Sequence, residues 1–303
     1  MDQRTQDPLD LPTPPGGSRE LYQSLVDTFD TYLRRVHQLI ERDQPSGLAG
    51  TWVPYALFIH ILQLGRALLL LVQAGYSEEA LPIGRAMISA AMNLLFIVTS
   101  DNPDGWALRY WLQLADHERK YLARELRLER FDQKKIQQLI TAADANLAGL
   151  HEALRREGIT LPDKLSSPGQ AKPRHDTWTG LSDRALAERL QLTDWYEGEY
   201  DHLSRVTHVQ AISVKPIGDE LLAGRLPSVG PHFREPLAAI AVAVSAIKFG
   251  FLGFMKHFNL VDRDPVFQAA NNAMTSAINS YRDQSGANAI VDRVFGRRTG
   301  TTQ

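Results

Sequence analysis

From Arg19 to Asp43 apolar residues return every third or fourth position, as Leu21, Leu25, Phe29, Tyr32 and Val36, with polar residues between them. That spacing draws one apolar stripe along a helix, and Ser18 stands where an N-cap oxygen belongs. The next segment, TWVPYALFIHILQLGRALLLLVQAG from Thr51, is apolar around nearly its whole circumference, the mark of a helix enclosed on most sides. Gly75 closes it, and Ser77 is the candidate cap of a third, mostly apolar helix reaching Ser100. A fourth helix, Asp104 to Arg130, becomes charged toward its end, and a fifth runs from Asp132 to Arg156 before Gly158.

There the periodicity stops. Residues 159–178, containing LPDKLSSPGQAKPRHD with its three prolines, read as a Pro-rich linker or long surface loop. Beyond it come a short helix at SDRALAERLQL, a helix carrying YDHLSRVTHVQ, and two more at PHFREPLAAIAVAVSAIKFGFLGFMKHF and DPVFQAANNAMTSAINSYRDQ. No stretch alternates long enough for a strand. The pattern predicts an all-α, antiparallel multi-helix bundle of about eight to nine helices in one domain, residues 18–285, whose second, third and eighth helices are the most buried. Residues 1–17, polar and rich in Pro and Gly, read as a disordered tail, and the basic 286–303 as a second tail.

Composition bears on function more than on fold. Lys plus Arg is 33 against 35 Asp plus Glu, a formal charge of -2, so no broad basic field points to nucleic acid. Cysteine is absent, which removes disulfides, thiolate metal sites and cysteine nucleophiles and fits a reducing cytoplasm. The run after Pro236 approaches the ~20 apolar residues that a membrane span needs, but Lys248 interrupts it. A buried central helix is the preferred reading, with membrane association as the alternative.

Familiar catalytic signatures are missing: there is no glycine-rich phosphate loop, no G-x-S-x-G and no H-E-x-x-H. The single Glu-x-x-His, Glu199 with His202, lacks the second copy and the further glutamates of a di-iron bundle, so neither a metal nor a cofactor is expected. What stands out is polar residues on apolar helices. Tyr200, Ser204 and His208 follow one another four apart, as do Arg85, Ser89 and Asn93 on the third helix. His60, Gln63 and Arg66 interrupt the apolar second helix, and Glu199 falls in the apolar sector of its own. Desolvating an unpaired guanidinium costs several kcal/mol, so Arg66 or Arg85 should lie out of solvent against Glu199, Tyr200 or a backbone carbonyl. If the two ridges face each other, Arg66, Arg85, Ser89, Asn93, Glu199, Tyr200, Ser204 and His208 line a polar pocket for a small anionic or polar ligand. The bland alternative is that the groups satisfy one another at a helix crossing.

The run from Asp176 to Gln210 resembles the carboxy-terminal signature of a bacterial domain-of-unknown-function family of all-helical proteins. That signature, W-x-G-x-S and then Tyr, Tyr, Ser and His, falls here on Trp178, Gly180, Ser182, Tyr196, Tyr200, Ser204 and His208. The resemblance also implies an Arg followed four later by Glu in an early helix, at Arg85; this chain has Ser89 in the Glu position, so no catalytic acid carries over. A looser analogy leads to HEPN-like bundles, nucleic-acid-targeting effectors of toxin or phage-defence systems. Their Arg and His spacing is met only by Arg225 and His232, in a segment broken by prolines and glycine. The leading expectation is therefore a non-catalytic, cytoplasmic bundle, with a small ligand or a second copy of the chain as compatible partners.

Overall fold

A computed structural model describes residues 19–41, 49–129, 132–156, 158–165, 177–200, 203 and 236–285. Among these residues there is no β-strand. The helices are α1 (Arg19–Ile40), α2 (Ala49–Gln73), α3 (Ser77–Thr99), α4 (Pro103–Leu128), α5 (Gln133–Arg156), α6 (Asp183–Arg189), the single turn α7 (Thr193–Trp195), α8 (Pro236–Phe258) and α9 (Asp264–Ser285). α7 runs into a π-helical turn, Tyr196–Tyr200, and a 3-10 turn at Val261–Arg263 leads into α9.

The stripe on α1 is buried as the spacing demands, with Leu25, Phe29, Tyr32 and Val36 in the core. Between α2 and α3, Gly75 takes φ 82°, a left-handed conformation that suits glycine. The Gly75 and Tyr76 amides donate back to the Val72 and Leu71 carbonyls, which ends α2 in a Schellman turn. α3 begins at once, with the Tyr76 carbonyl taking the Ala80 amide at 3.1 Å. Ser77 is thus the first helical residue and not the cap; its hydroxyl is buried without a hydrogen-bond partner. Asn102 caps α4 by accepting from the Gly105 amide at 2.9 Å, with Pro103 in the first helical position. The proposed cap Ser18 and both tails lie outside the described residues.

α3 and α8 form the centre. A Cβ on Gly84 would lie 2.9 Å from Val242, and one on Gly253 2.7 Å from Leu95, so the two backbones approach closely along their length. α1 runs antiparallel to α2, since Tyr22 meets Val72 and the later Leu33 meets Gly65, but α3 and α8 are parallel, because Gly84 meets Val242 and the later Leu95 meets Gly253. Both oppose α2, and three mutually packed helices cannot all oppose one another. Phe251 of α8 is fully buried and stacks on Phe267 of α9, with ring centroids 4.2 Å apart.

α2, α3 and α8 are each long and apolar enough to cross a membrane by length and composition. Their outward positions are informative. Lys248 is the exposed residue of the apolar run on α8, and the exposed edge of α2 carries His60, Gln63 and Arg66. α2 is therefore not enclosed on all sides: Ala56, His60, Gln63, Arg66 and Leu70 recur every three or four residues on a surface face.

Candidate functional site: a polar cluster between the third helix and the Trp178–Tyr200 segment

The ridge on α3 meets the signature segment at three heights. Arg85 lies highest, half-buried, with its guanidinium 5.1 Å from the centre of the Tyr200 ring and donating to the Tyr200 hydroxyl at 3.1 Å. Ser89, one turn on, also reaches that phenol. Asn93 accepts from the Trp178 indole N–H at 3.2 Å. The Trp178 ring then sits edge-on among Phe96, Trp106 and Tyr110, with centroids 5.2–5.8 Å away.

Trp178 is only 7% exposed, so the far end of the 159–178 stretch is a core insert rather than a surface loop. One large side chain suffices for this where no periodicity exists. The backbone around it is tied down. Leu165 donates to the Thr179 carbonyl at 2.6 Å, Thr177 Oγ1 accepts from the Gly180 amide, and Gly180 has φ 83°. Ser182 then caps α6 through the Ala185 amide at 3.2 Å. The Trp, Gly and Ser of the signature therefore have distinct jobs: anchor, left-handed turn and cap.

Tyr200 is 3% exposed, and its hydroxyl donates to the Asp183 carboxylate. The phenol accepts from Arg85 and donates a hydrogen bond to Asp183, linking a cation to an anion through one oxygen. Burial raises its pKa above the ordinary tyrosine value, Asp183 pushes in the same direction, and Arg85 and Ser89 pull against both. Asp183 itself is exposed, so the cluster leads from solvent to the core. Sequence reasoning missed it: an acid just after a helix cap reads as a partner for the helix dipole, and nothing local signals a tyrosine seventeen residues away.

The helix expected through YDHLSRVTHVQ lies outside the described residues except at Tyr200 and Leu203. Over Tyr196–Tyr200 the backbone winds as a π-helix, and the Tyr196 and Tyr200 rings stack at 4.7 Å and 22°. A wider turn brings residues four apart almost above one another, whereas 100° spacing would offset them. The side chain of Glu199, and Ser204 and His208 entirely, lie outside the described residues. Arg66 does not join the cluster; it stands exposed on the outer face of α2, where leucines on the other sides had suggested enclosure. Arg85, Ser89, Asn93 and Tyr200 are brought together as two facing sets, and Trp178 and Asp183 complete them.

The tyrosines also set a pH limit. Burial raises the pKa of Tyr22, Tyr32, Tyr110, Tyr200 and Tyr281. A raised folded-state pKa gives stability that is full below the unfolded value of about 10 and is lost as pH climbs through the folded values. Alkaline titration should therefore show phenolate absorbance rising together with loss of helical circular dichroism, above pH about 10. Phenolate appearing at lower pH with the helices intact would mean these rings are not sealed.

No curated protein and no solved structure matches the chain. The model of a protein family does, over residues 51–219, from α2 through the whole signature segment. The chain belongs to that family, the family of unknown function DUF5677.

Proposed function

We propose that the chain is a non-catalytic, cytoplasmic helical-bundle protein whose polar cluster around Arg85, Tyr200 and Asp183 receives a small anionic or polar group. One observation supports this reading most: a half-buried guanidinium is fixed against a buried phenol that donates in turn to an exposed carboxylate. A ligand entering beside Asp183 meets an acceptor at the surface and a fixed positive charge behind it. Ser204 and His208 belong to the proposal through the signature alone. The polar outer edge of α2 and exposed Lys248 support core helices over membrane spans, since lipid-facing charge is costly.

The test is a thermal-shift screen with phosphate, sulfate, short carboxylates and nucleoside monophosphates. At least one should stabilise the wild type and leave Arg85→Met unmoved. Tyr200→Phe should cost about 1 kcal/mol of stability while weakening the same ligand. If none of these compounds acts and both variants only lose stability, the cluster is a latch that fastens the Trp178–Tyr200 segment to α3. Salt-sensitive RNA binding lost in His208→Ala would replace the proposal with the HEPN-like effector.

A further inference from the structure

α4 and α5 form a hairpin with a small core of its own, in which Leu122 packs with Ile136 and Ile140, separate from the core of the bundle. In this half of α4 the buried residues are Ala115, Leu122 and Glu125. The back of the helix carries a different set. At 100° per residue His117, Lys120, Arg124 and Arg127 fall within one sector of about 80°, directly opposite Leu122. All four are exposed, and together they cover about 15 Å of helix.

The acids of this stretch do not cancel that row. Asp116 is held by Lys120 at 2.7 Å, an exposed i,i+4 pair of the kind that contributes little. Glu125 is buried, and Glu118 projects toward the α5 side, as does Arg119, which Asp144 of α5 engages. Arg124 and Arg127 make no ion pair among the described residues. A second feature stands at the edge of the same sector. Tyr121, one turn from both His117 and Arg124, is 58% exposed and is the one exposed aromatic ring among the described residues. Leaving such a ring in water forgoes the burial that draws aromatic side chains inward, and stacking on a base restores it.

We infer that the back of α4 is a binding surface for single-stranded nucleic acid. Its cations follow the phosphates, and Tyr121 stacks on one base. A line of positive charge with an aromatic ring set into it is complementary to a strand that alternates phosphates with flat bases. The chain's formal charge of -2 supplies no broad field, so the attraction is confined to this row and falls steeply with salt. The surface uses no residue of the Arg85 cluster and stands or falls separately from it.

The experiment is fluorescence anisotropy of the full chain with a labelled, unpaired RNA of about 20 nucleotides, between about 50 and 200 mM salt. The strand should bind, and more weakly as salt rises. Arg124→Gln combined with Arg127→Gln should flatten the log–log salt slope by about 1.4, two phosphate contacts at ~0.7 each. Tyr121→Ala should weaken binding about fivefold, the low end for one stacked base, and leave the slope unchanged, whereas Tyr121→Trp should keep the affinity. These positions are exposed, so the melting temperature should stay that of the wild type in every variant. Arg85→Met and His208→Ala should bind the strand as the wild type does. Absence of binding at about 50 mM salt overturns the inference, as does binding lost in His208→Ala. Binding indifferent to the α4 substitutions also overturns it and assigns the strand to the basic residues 286–303. Phosphatidylserine vesicles held more tightly than the strand, through the same residues, would overturn it in favour of a membrane surface.

Discussion

Replacing Trp178 with alanine is expected to lower the free energy of unfolding by about 3–5 kcal/mol, the range for deleting a large buried aromatic side chain. Three losses combine. The indole leaves a hole between Phe96, Trp106 and Tyr110. Asn93 loses the donor to its side-chain oxygen. The chain from Thr177 to Ser182, otherwise held by hydrogen bonds of its own and one from Leu165, loses its largest anchor in the core. Because the same segment carries Asp183 onward to Tyr200, the substitution should also release the Arg85 cluster, and a ligand of that cluster would no longer stabilise the variant. Denaturant unfolding of Trp178→Ala beside Trp178→Phe separates the parts. The phenylalanine keeps most of the packing and should cost far less. A loss below about 1 kcal/mol for the alanine variant would show that the segment is peripheral.

Phe251→Ala should be equally damaging, again by about 3–5 kcal/mol, and for a different reason. Its ring lies between α2 and α9, 5.6 Å from Phe58 and 4.2 Å from Phe267 by centroid, and is wholly out of solvent. No backbone turn or polar network depends on it, so the effect is cavity and lost contact alone. Phe251→Leu, which keeps most of the volume, should cost below about 1.5 kcal/mol. A double-mutant cycle with Phe267 should show coupling, since residues in contact fail to add. Equal losses for the leucine and alanine variants would mean that ring geometry, rather than filled volume, governs this layer.

Spacing alone placed the helices well where one face is apolar. In α1, Leu25, Phe29, Tyr32 and Val36 are buried on the predicted stripe, because a 3.6-residue period leaves a strong trace. Lys248 likewise marked the exposed point of α8. On the second helix the trace was faint: His60, Gln63 and Arg66, three apart, share the exposed face, but the leucines around them had suggested enclosure. At Tyr196–Tyr200 spacing fails for another reason. Projection at 100° assumes α-helical winding, and Tyr196–Tyr200 winds as a π-turn instead. The polar cluster was half legible. Arg85, Ser89, Asn93 and Tyr200 stood out as polar residues in apolar surroundings, whereas Asp183 and Trp178 are conventional for a helix start and a loop, and only the fold brings them to α3.

The parallel pairing of α3 with α8 has a cost during synthesis. α2 and α3 form early, but the helix that covers their inner faces begins only at Pro236, about 140 residues after α3 ends at Thr99. At about 5–20 residues per second, a ribosome needs on the order of 7–30 s to supply it. Helices form in about a microsecond, so for nearly all of that interval the glycine-lined surface around Gly84 is ready and uncovered. The growing chain must then be held by a chaperone or shielded by its own α1 and α4. Rare codons or a stop within the intervening region should therefore send it to aggregation before any mature contact is lost.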